Sequence, residues 1–229
     1  MNKGILYGVG VGPGDPELLT LKAARILREA DVIAVPATGE GRRVALDIAA
    51  AHVQGKPLLE CPAPMLRDKQ KLAENYDSVA AMLMSLLDEG KTVAFLTLGD
   101  PSVYSTYAYL HRRVLAGGYG ACLVPGVPSF CAVAAALGRP LCEGNELLHI
   151  VPASHGLTDL GLSLPGNKVL MKAGRAAGEV CAKLRQAGKL QKAALVENCG
   201  MATEKVYPDL EQFGGEAGYF SVIVVKEDG

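Results

Sequence analysis

Tryptophan is absent, and phenylalanine and tyrosine together make up 5% of the 229 residues. That leaves little material for the aromatic platforms on which single-stranded nucleic acids stack. An excess of either charge is also missing. Lys and Arg number 23 against 24 Asp and Glu, a net charge of −1, whereas proteins held on nucleic acid by counterion release are usually basic. No two of the six cysteines, Cys61, Cys122, Cys131, Cys142, Cys181 and Cys199, have C-x-x-C spacing. None of His52, His111, His149 and His155 forms an H-E-x-x-H pair. No structural metal is expected, and the cysteines read as small buried hydrophobes in a reducing cytoplasm. Uninterrupted apolar runs are lacking too. Gly8, Gly10, Gly12 and Gly14 break the stretch after the first residues, so no leader peptide is expected. The uncharged run from Val114 to Gly138 is long enough to span a bilayer, but Gly117, Gly118, Gly120, Pro125, Gly126 and Pro128 interrupt it. It reads instead as strand (Ala121–Val124), turn (Pro125–Pro128) and helix (Ser129–Leu137), with no membrane role.

What is present is 49% hydrophobic residues and 27 glycines. This length suits one large domain or two small ones, with a core of Ala, Val and Leu. In the first half, apolar strands alternate with helical periodicity. Strands read at Ile5–Val9, at Asp31–Val35 closed by Pro36, and at Thr92–Leu98. Helices read at Leu18–Ala30, with Leu18, Leu21 and Ala24 on one stripe, and at Val44–Val53, Asp68–Glu89 and Val103–Leu115. This order predicts an α/β domain with a parallel sheet. The second half predicts strands at Leu147–Val151, Lys168–Ala173, Ala193–Asn198 and Tyr219–Val225, a helix over Ala177–Ala187, and a hairpin or excursion between Asn198 and Tyr219. The expected fold class is therefore α/β with two α/β domains, residues 1–127 with a mostly parallel sheet and residues 128–229 with a mixed one.

Three segments carry chemistry. Gly8-Val-Gly10-Val-Gly12-Pro13-Gly14-Asp15-Pro16 follows a strand and opens a helix. A dinucleotide fingerprint fails in register, because the third glycine falls on Pro13 or Asp15, and Pro13 removes an N–H that a phosphate would use. Its dense glycines let a ligand or another segment approach the backbone, and Asp15 is placed to cap the following helical start. The second segment, Leu96-Thr97-Leu98-Gly99-Asp100-Pro101-Ser102-Val103-Tyr104-Ser105-Thr106, lies at the carboxyl end of an apolar strand, where open α/β sheets bind ligands. Asp100 offers an acceptor-only carboxylate there, or serves as an ordinary helix N-cap. The third, Val124-Pro125-Gly126-Val127-Pro128-Ser129-Phe130, is again a strand exit feeding a helix of small residues, or else linker punctuation.

In order and spacing these segments resemble the tetrapyrrole methylases. The likeness is carried by GxGPGDPELLT, by GDPSVYSTY over Gly99–Tyr107 and by PGVPSFCAVAAALGRPL over Pro125–Leu141, and it covers nearly the whole chain. The middle string is most similar to the branch that methylates carbon 20 of precorrin-2 or its cobalt form. Pro62-Ala-Pro64-Met65 followed by Asp68 is loosely similar to that branch's Pro-Met-x-x-Asp. The resemblance implies two α/β domains with a cofactor cleft between them, a cytoplasmic homodimer, S-adenosylmethionine as methyl donor and a tetrapyrrole substrate bearing eight carboxylates. It also implies contacts from Pro13, Leu98, Gly99, Asp100, Val103, Ser105, Thr106, Pro128, Ser129, Met171 and Cys199 to the cofactor, although Cys199 stands where the family often has glycine. Asp100 and Lys172 are the candidates for the catalytic contact with the macrocycle, and Lys172 has a solvated surface lysine as its alternative. Within the fold the rivals are the uroporphyrinogen-III methylase, other corrin-ring methylases, and relatives acting on diphthamide or ribosomal RNA. From a different class, the glycine-rich first turn suggests a nicotinamide-dependent oxidoreductase.

Overall fold

A computed structural model describes residues 3–37, 44–64, 68–153 and 156–227. It divides into two compact units, Met1–Pro128 and Ser129–Gly229.

In the first unit β1 (Ile5–Gly10), β2 (Val32–Ala37), β3 (Leu58–Pro62), β4 (Val93–Thr97) and β5 (Gly120–Val124) form one sheet in the order β3-β2-β4-β1-β5. Every pairing is parallel, and crossover helices cover both faces, which is why β4 is buried along its whole length. Against one face, α1 (Leu21–Glu29) and α2 (Val44–Val53) bring Ala23, Ile26, Leu27, Ala45, Ile48 and Ala49 onto Val9, Ile33 and Leu96. Against the other, α3 (Lys69–Asp88) and α4 (Tyr107–Ala116) bring Val79, Leu83, Leu87, Leu110 and Val114 onto Leu6, Val93 and Phe95.

Several boundaries depart from the sequence reading for local reasons. Helix α1 starts at Leu21 because Thr20 stays extended and its hydroxyl accepts from Ala23 N at 3.1 Å. The expected apolar stripe holds only at Ala24: Leu21 is 92% exposed, and the helix buries Ala23, Ile26 and Leu27 beside Ala24. Strand β2 continues through Pro36, which pairs in register with Cys61 of β3. The β4 pairing ends at Ala34, so no bond on that side calls for a proline N–H. Strand β3 lacks the apolar alternation that marks a half-buried strand; it is an edge strand with Leu58 and Glu60 exposed.

In the second unit β6 (Leu148–Pro152), β7 (Asn167–Met171), β8 (Ala193–Glu197), β9 (Lys205–Tyr207) and β10 (Ser221–Val225) form a mixed sheet in the order β6-β7-β10-β8-β9. Only β6 and β7 run parallel; β10 is antiparallel to β7 and β8, and β9 turns back antiparallel on β8, so of the hairpin and the excursion left open after Asn198 the segment begins as a hairpin. Helix α7 (Ala177–Gln186) packs Val180, Cys181 and Leu184 on Leu170, Leu195 and Ile223. Helix α5 (Ser129–Leu137) lies against β8 and β10, and the short α6 (Thr158–Ser163), too brief to show a period, lies against β6 and β7. All six cysteines are free; Cys61, Cys181 and Cys199 are buried, but Cys122, Cys131 and Cys142 are exposed, against the expectation of burial. Among the described residues no helix is long and apolar enough to cross a membrane.

Candidate active site

Because β4, β1 and β5 are neighbours and parallel, their carboxyl ends bring the three glycine-bearing segments to one edge of the first sheet. There the segments pack on one another through backbone. Gly12 and Gly99 form an antiparallel bridge, with Gly99 N donating to Gly12 O at 2.7 Å and Gly12 N to Gly99 O at 3.3 Å. Both residues have positive φ, 80° and 74°, a conformation that disfavours any side chain. Gly10 touches the third segment: a Cβ there would lie 2.6 Å from both Gly126 N and Gly99 O. The close approach expected of these glycines is thus made by other segments of the chain.

Asp100 holds the arrangement together. One carboxylate oxygen accepts from Ser102 N at 2.7 Å and Ser102 Oγ at 2.5 Å, and the other accepts from Gly126 N at 3.0 Å. This ties the exit of β4 to the exit of β5. Asp100 is not the N-cap of α4, a position that Thr106 occupies. Helix α4 begins four residues later than expected, because Tyr104 has φ 47° and Ser105 Oγ accepts from Tyr107 N at 3.1 Å. Asp15 caps a single 3-10 turn (Pro16–Leu18) by accepting from Glu17 N at 2.8 Å.

Of the residues singled out in the sequence, Pro13 and Gly99 are buried at this edge, while Leu98, Asp100, Val103, Ser105 and Pro128 are half-buried and Thr106 is exposed. Two residues of the same edge lie inside the quoted segments but receive no role from the sequence. Thr20 Oγ1 donates to Pro125 O at 3.3 Å, linking the first and third segments. Its only advance signal is its place just before an apolar helical run. Thr97, the last residue of β4, is 7% exposed, and its hydroxyl has no hydrogen-bond partner among the described residues. Nothing in a strand's sequence marks such an orphan.

The second unit has a comparable edge. The carboxyl ends of β7 and β8 flank the start of β10, with Ala173 N donating to Ser221 O at 3.3 Å and Asn198 N to Phe220 O at 2.9 Å. Met171 and Lys172 stand on one side, Glu197, Asn198 and Cys199 on the other. Lys172 (φ 57°) and Asn198 (φ 49°) are left-handed without being glycine. Lys172 is half-buried, not a solvated surface lysine, and burial lowers its ammonium pKa. Burial also pushes the Cys199 thiol up to about 12, helped by Glu204. Buried Glu197 accepts from Gly218 N, closing the loop that leads into β10. Ser129 begins α5 in this unit. Met65–Arg67, the centre of the loose Pro-Met-x-x-Asp match, and His155 lie outside the described residues; Asp68 caps α3, accepting from Gln70 N at 2.9 Å and Lys71 N at 3.3 Å.

Residues 5–213 match the model of the family described as Tetrapyrrole (Corrin/Porphyrin) Methylases. The chain belongs to the tetrapyrrole methylases. Among its relatives in this family, the cobalamin biosynthesis protein CobIJ of Mycobacterium tuberculosis is 34% identical over 97% of the chain, which spans 46% of that protein's length. The precorrin-2 C(20)-methyltransferase of a Sinorhizobium species is 34% identical over 97% of this chain and 95% of its own. Among solved structures, a cobalt precorrin-4 methyltransferase superposes with a TM-score of 0.77 at 22% identity, covering 97% of this chain and 94% of that one. Two α/β sheets, one parallel and one mixed, are therefore the tetrapyrrole methylase fold.

Proposed function

We propose that the protein transfers a methyl group from S-adenosylmethionine to carbon 20 of precorrin-2, or of its cobalt form, in cobalamin biosynthesis. The observation that carries this reading is the likeness to the Sinorhizobium enzyme, which runs over almost the full length of both chains. The GDPSVYSTY string, the most branch-like part of the sequence, supports it at the exit of β4.

The residues of the first unit's edge fit such a cofactor. Asp100 is an acceptor-only carboxylate, and the buried Thr97 hydroxyl is left over at the same strand end. The contacts proposed, as the family resemblance implies them, are Pro13, Leu98, Gly99, Asp100, Val103, Ser105, Thr106, Pro128, Ser129, Met171 and Cys199. S-adenosylmethionine supplies a methyl already activated on a sulfonium, leaving S-adenosylhomocysteine. The work of the chain is then to align that methyl with an electron-rich meso carbon at about 3–3.5 Å and to keep water away. Asp100, with both oxygens engaged by Ser102 and Gly126, acts by holding the turn in place. A substrate carboxylate that meets the partly desolvated Lys172 ammonium would favour its charged form. The same reading makes the protein a cytoplasmic homodimer, which sedimentation of the purified chain checks.

The deciding experiment supplies methyl-labelled S-adenosylmethionine with precorrin-2, with and without cobalt, and locates the label. Label at carbon 20 is expected. Label at another carbon moves the protein to another tetrapyrrole methylase, and binding of a nicotinamide cofactor in place of S-adenosylmethionine overturns the reading. Asp100→Ala and Ser129→Trp are each expected to abolish cofactor binding with the circular dichroism spectrum retained.

A further inference from the structure

Glu197, the last residue of β8, carries a carboxylate into a site where the residue is only 6% exposed. Burying a charge is costly unless its atoms are paired. The other buried charge of this unit meets that condition, since Lys168 pairs with Glu227. Glu197 does not. It has no ion pair among the described residues, although Lys205 stands directly across from it on β9. One of its oxygens accepts from Gly218 N; the other has no hydrogen-bond partner among the described residues.

The tie to Gly218 accounts for one oxygen and leaves the charge unexplained. A glutamine amide oxygen accepts from the same N–H at a smaller desolvation cost. The loop is also held without the carboxylate: Ser221 Oγ donates to Gly218 O at 2.6 Å, and Gly174 packs so closely on Gly218 O that a Cβ would lie 2.0 Å from it. What a carboxylate adds is an anionic acceptor, anchored through one oxygen and open at the other. Its place gives that acceptor a use. Glu197 pairs in register with Ser221 at the start of β10, and left-handed Asn198 and then Cys199 follow it. This is the edge that carries the proposed cofactor contacts Met171 and Cys199. S-adenosylmethionine brings an ammonium and ribose hydroxyls, the donors that an acceptor-only carboxylate takes. An acceptor already fixed in position loses little freedom on binding them.

We propose that Glu197 is a cofactor-contact residue whose open oxygen accepts a hydrogen bond from a donor group of S-adenosylmethionine, its ammonium or a ribose hydroxyl. The inference deepens the proposed function and rests on its methyl donor.

The test uses Glu197→Gln, which keeps an acceptor for Gly218 N but loses the charge, and Ser221→Ala, which loosens the same loop and spares the carboxylate. Affinities for S-adenosylmethionine and for methylthioadenosine, which has the ribose but no ammonium, are read by calorimetry, and stability by thermal melts. Glu197→Gln is expected to melt no lower than the parent and to bind S-adenosylmethionine about 30-fold more weakly, as for the loss of a charge-assisted hydrogen bond. Ser221→Ala is expected to melt lower and to keep its affinity within about twofold. A parallel loss for methylthioadenosine in Glu197→Gln supports the proposal with a ribose hydroxyl as donor; an unchanged affinity for it supports the proposal with the ammonium. Unchanged S-adenosylmethionine affinity in Glu197→Gln overturns the proposal, as does an equal loss in Ser221→Ala, because the two variants share only the loop. A parent protein that binds no S-adenosylmethionine overturns this proposal and the proposed function together. Loss of affinity in Glu197→Gln alone, with label found elsewhere than carbon 20, sustains this proposal and overturns only the proposed site of methylation.

Discussion

The two sheets are secured at their edges by different means. At the carboxyl edge of the parallel sheet, Gly10, Gly12, Gly99 and Gly126 bring three strand exits into backbone contact, with one carboxylate, Asp100, across them. The mixed sheet is tied at the amino ends of β6, β7 and β8 by long charged side chains. The fully buried ammonium of Lys168 bonds Glu227, which also accepts from Lys189 at 2.5 Å and from Gly166 N at 2.7 Å. Asn167 donates to Glu146 at 2.7 Å, and Glu146 pairs with Lys226 at 2.9 Å. Backbone packed on backbone has no soft element that can give way. An ionic network has soft side chains, and it depends instead on the protonation of its carboxylates.

The comparison can be broken most strongly at Gly126. A Cβ there meets Gly99 O and Gly10 Cα, both backbone, so Gly126→Ala is expected to cost about 3 kcal/mol or more, read from a urea titration followed by circular dichroism. Next comes Glu227→Ala, which strands the buried Lys168 ammonium and is expected to cost about 3 kcal/mol in the second unit. The same network sets a pH window. The bonds from Lys168 and Lys189 hold the Glu227 carboxyl at about 2, below its ordinary 4.5. Its contribution is therefore complete above pH 4.5 and is lost as pH falls toward 2; the Glu227→Ala variant should lack this part of the acid sensitivity in parallel melts. A smaller effect is expected from Thr20→Val, which removes the cap of α1 and the tie to Pro125, at about 1 kcal/mol by urea titration. The smallest has the opposite sign. Thr97→Val replaces a buried hydroxyl that lacks a partner, so the ligand-free protein should gain up to about 1 kcal/mol while losing affinity for S-adenosylmethionine in calorimetry.

Legibility in the sequence followed the range of the interactions. Helix α2 matches its expected span, Val44–Val53, and α5 its expected Ser129–Leu137, because each is bounded by local signals. Edge strand β3 and the short α6 went unseen: one lacks alternation, and the other is shorter than the two turns a period needs. The glycine-rich segments and Asp100 stood out as candidates, since glycine at strand exits is rare without a reason. Their partners did not. Gly10 meets Gly126 across 116 positions of chain, Asp100 reaches Gly126 across 26, and Lys226 reaches Glu146 across 80.

By itself, then, the sequence determined the alternation of strands and helices, the change from a parallel to a mixed sheet, and the family, because periodicity, turn chemistry and motif spacing are properties of neighbouring residues. Only the tertiary structure decided that, of two tyrosines three residues apart, Tyr107 is buried under Gly8 and Tyr104 is exposed with a positive φ at the edge. It alone decided that a balance of 23 basic and 24 acidic residues conceals a buried lysine bound to a carboxylate 59 residues away. Exposure, strain and ion pairing depend on which segments the folded sheets bring side by side, and composition carries no record of that.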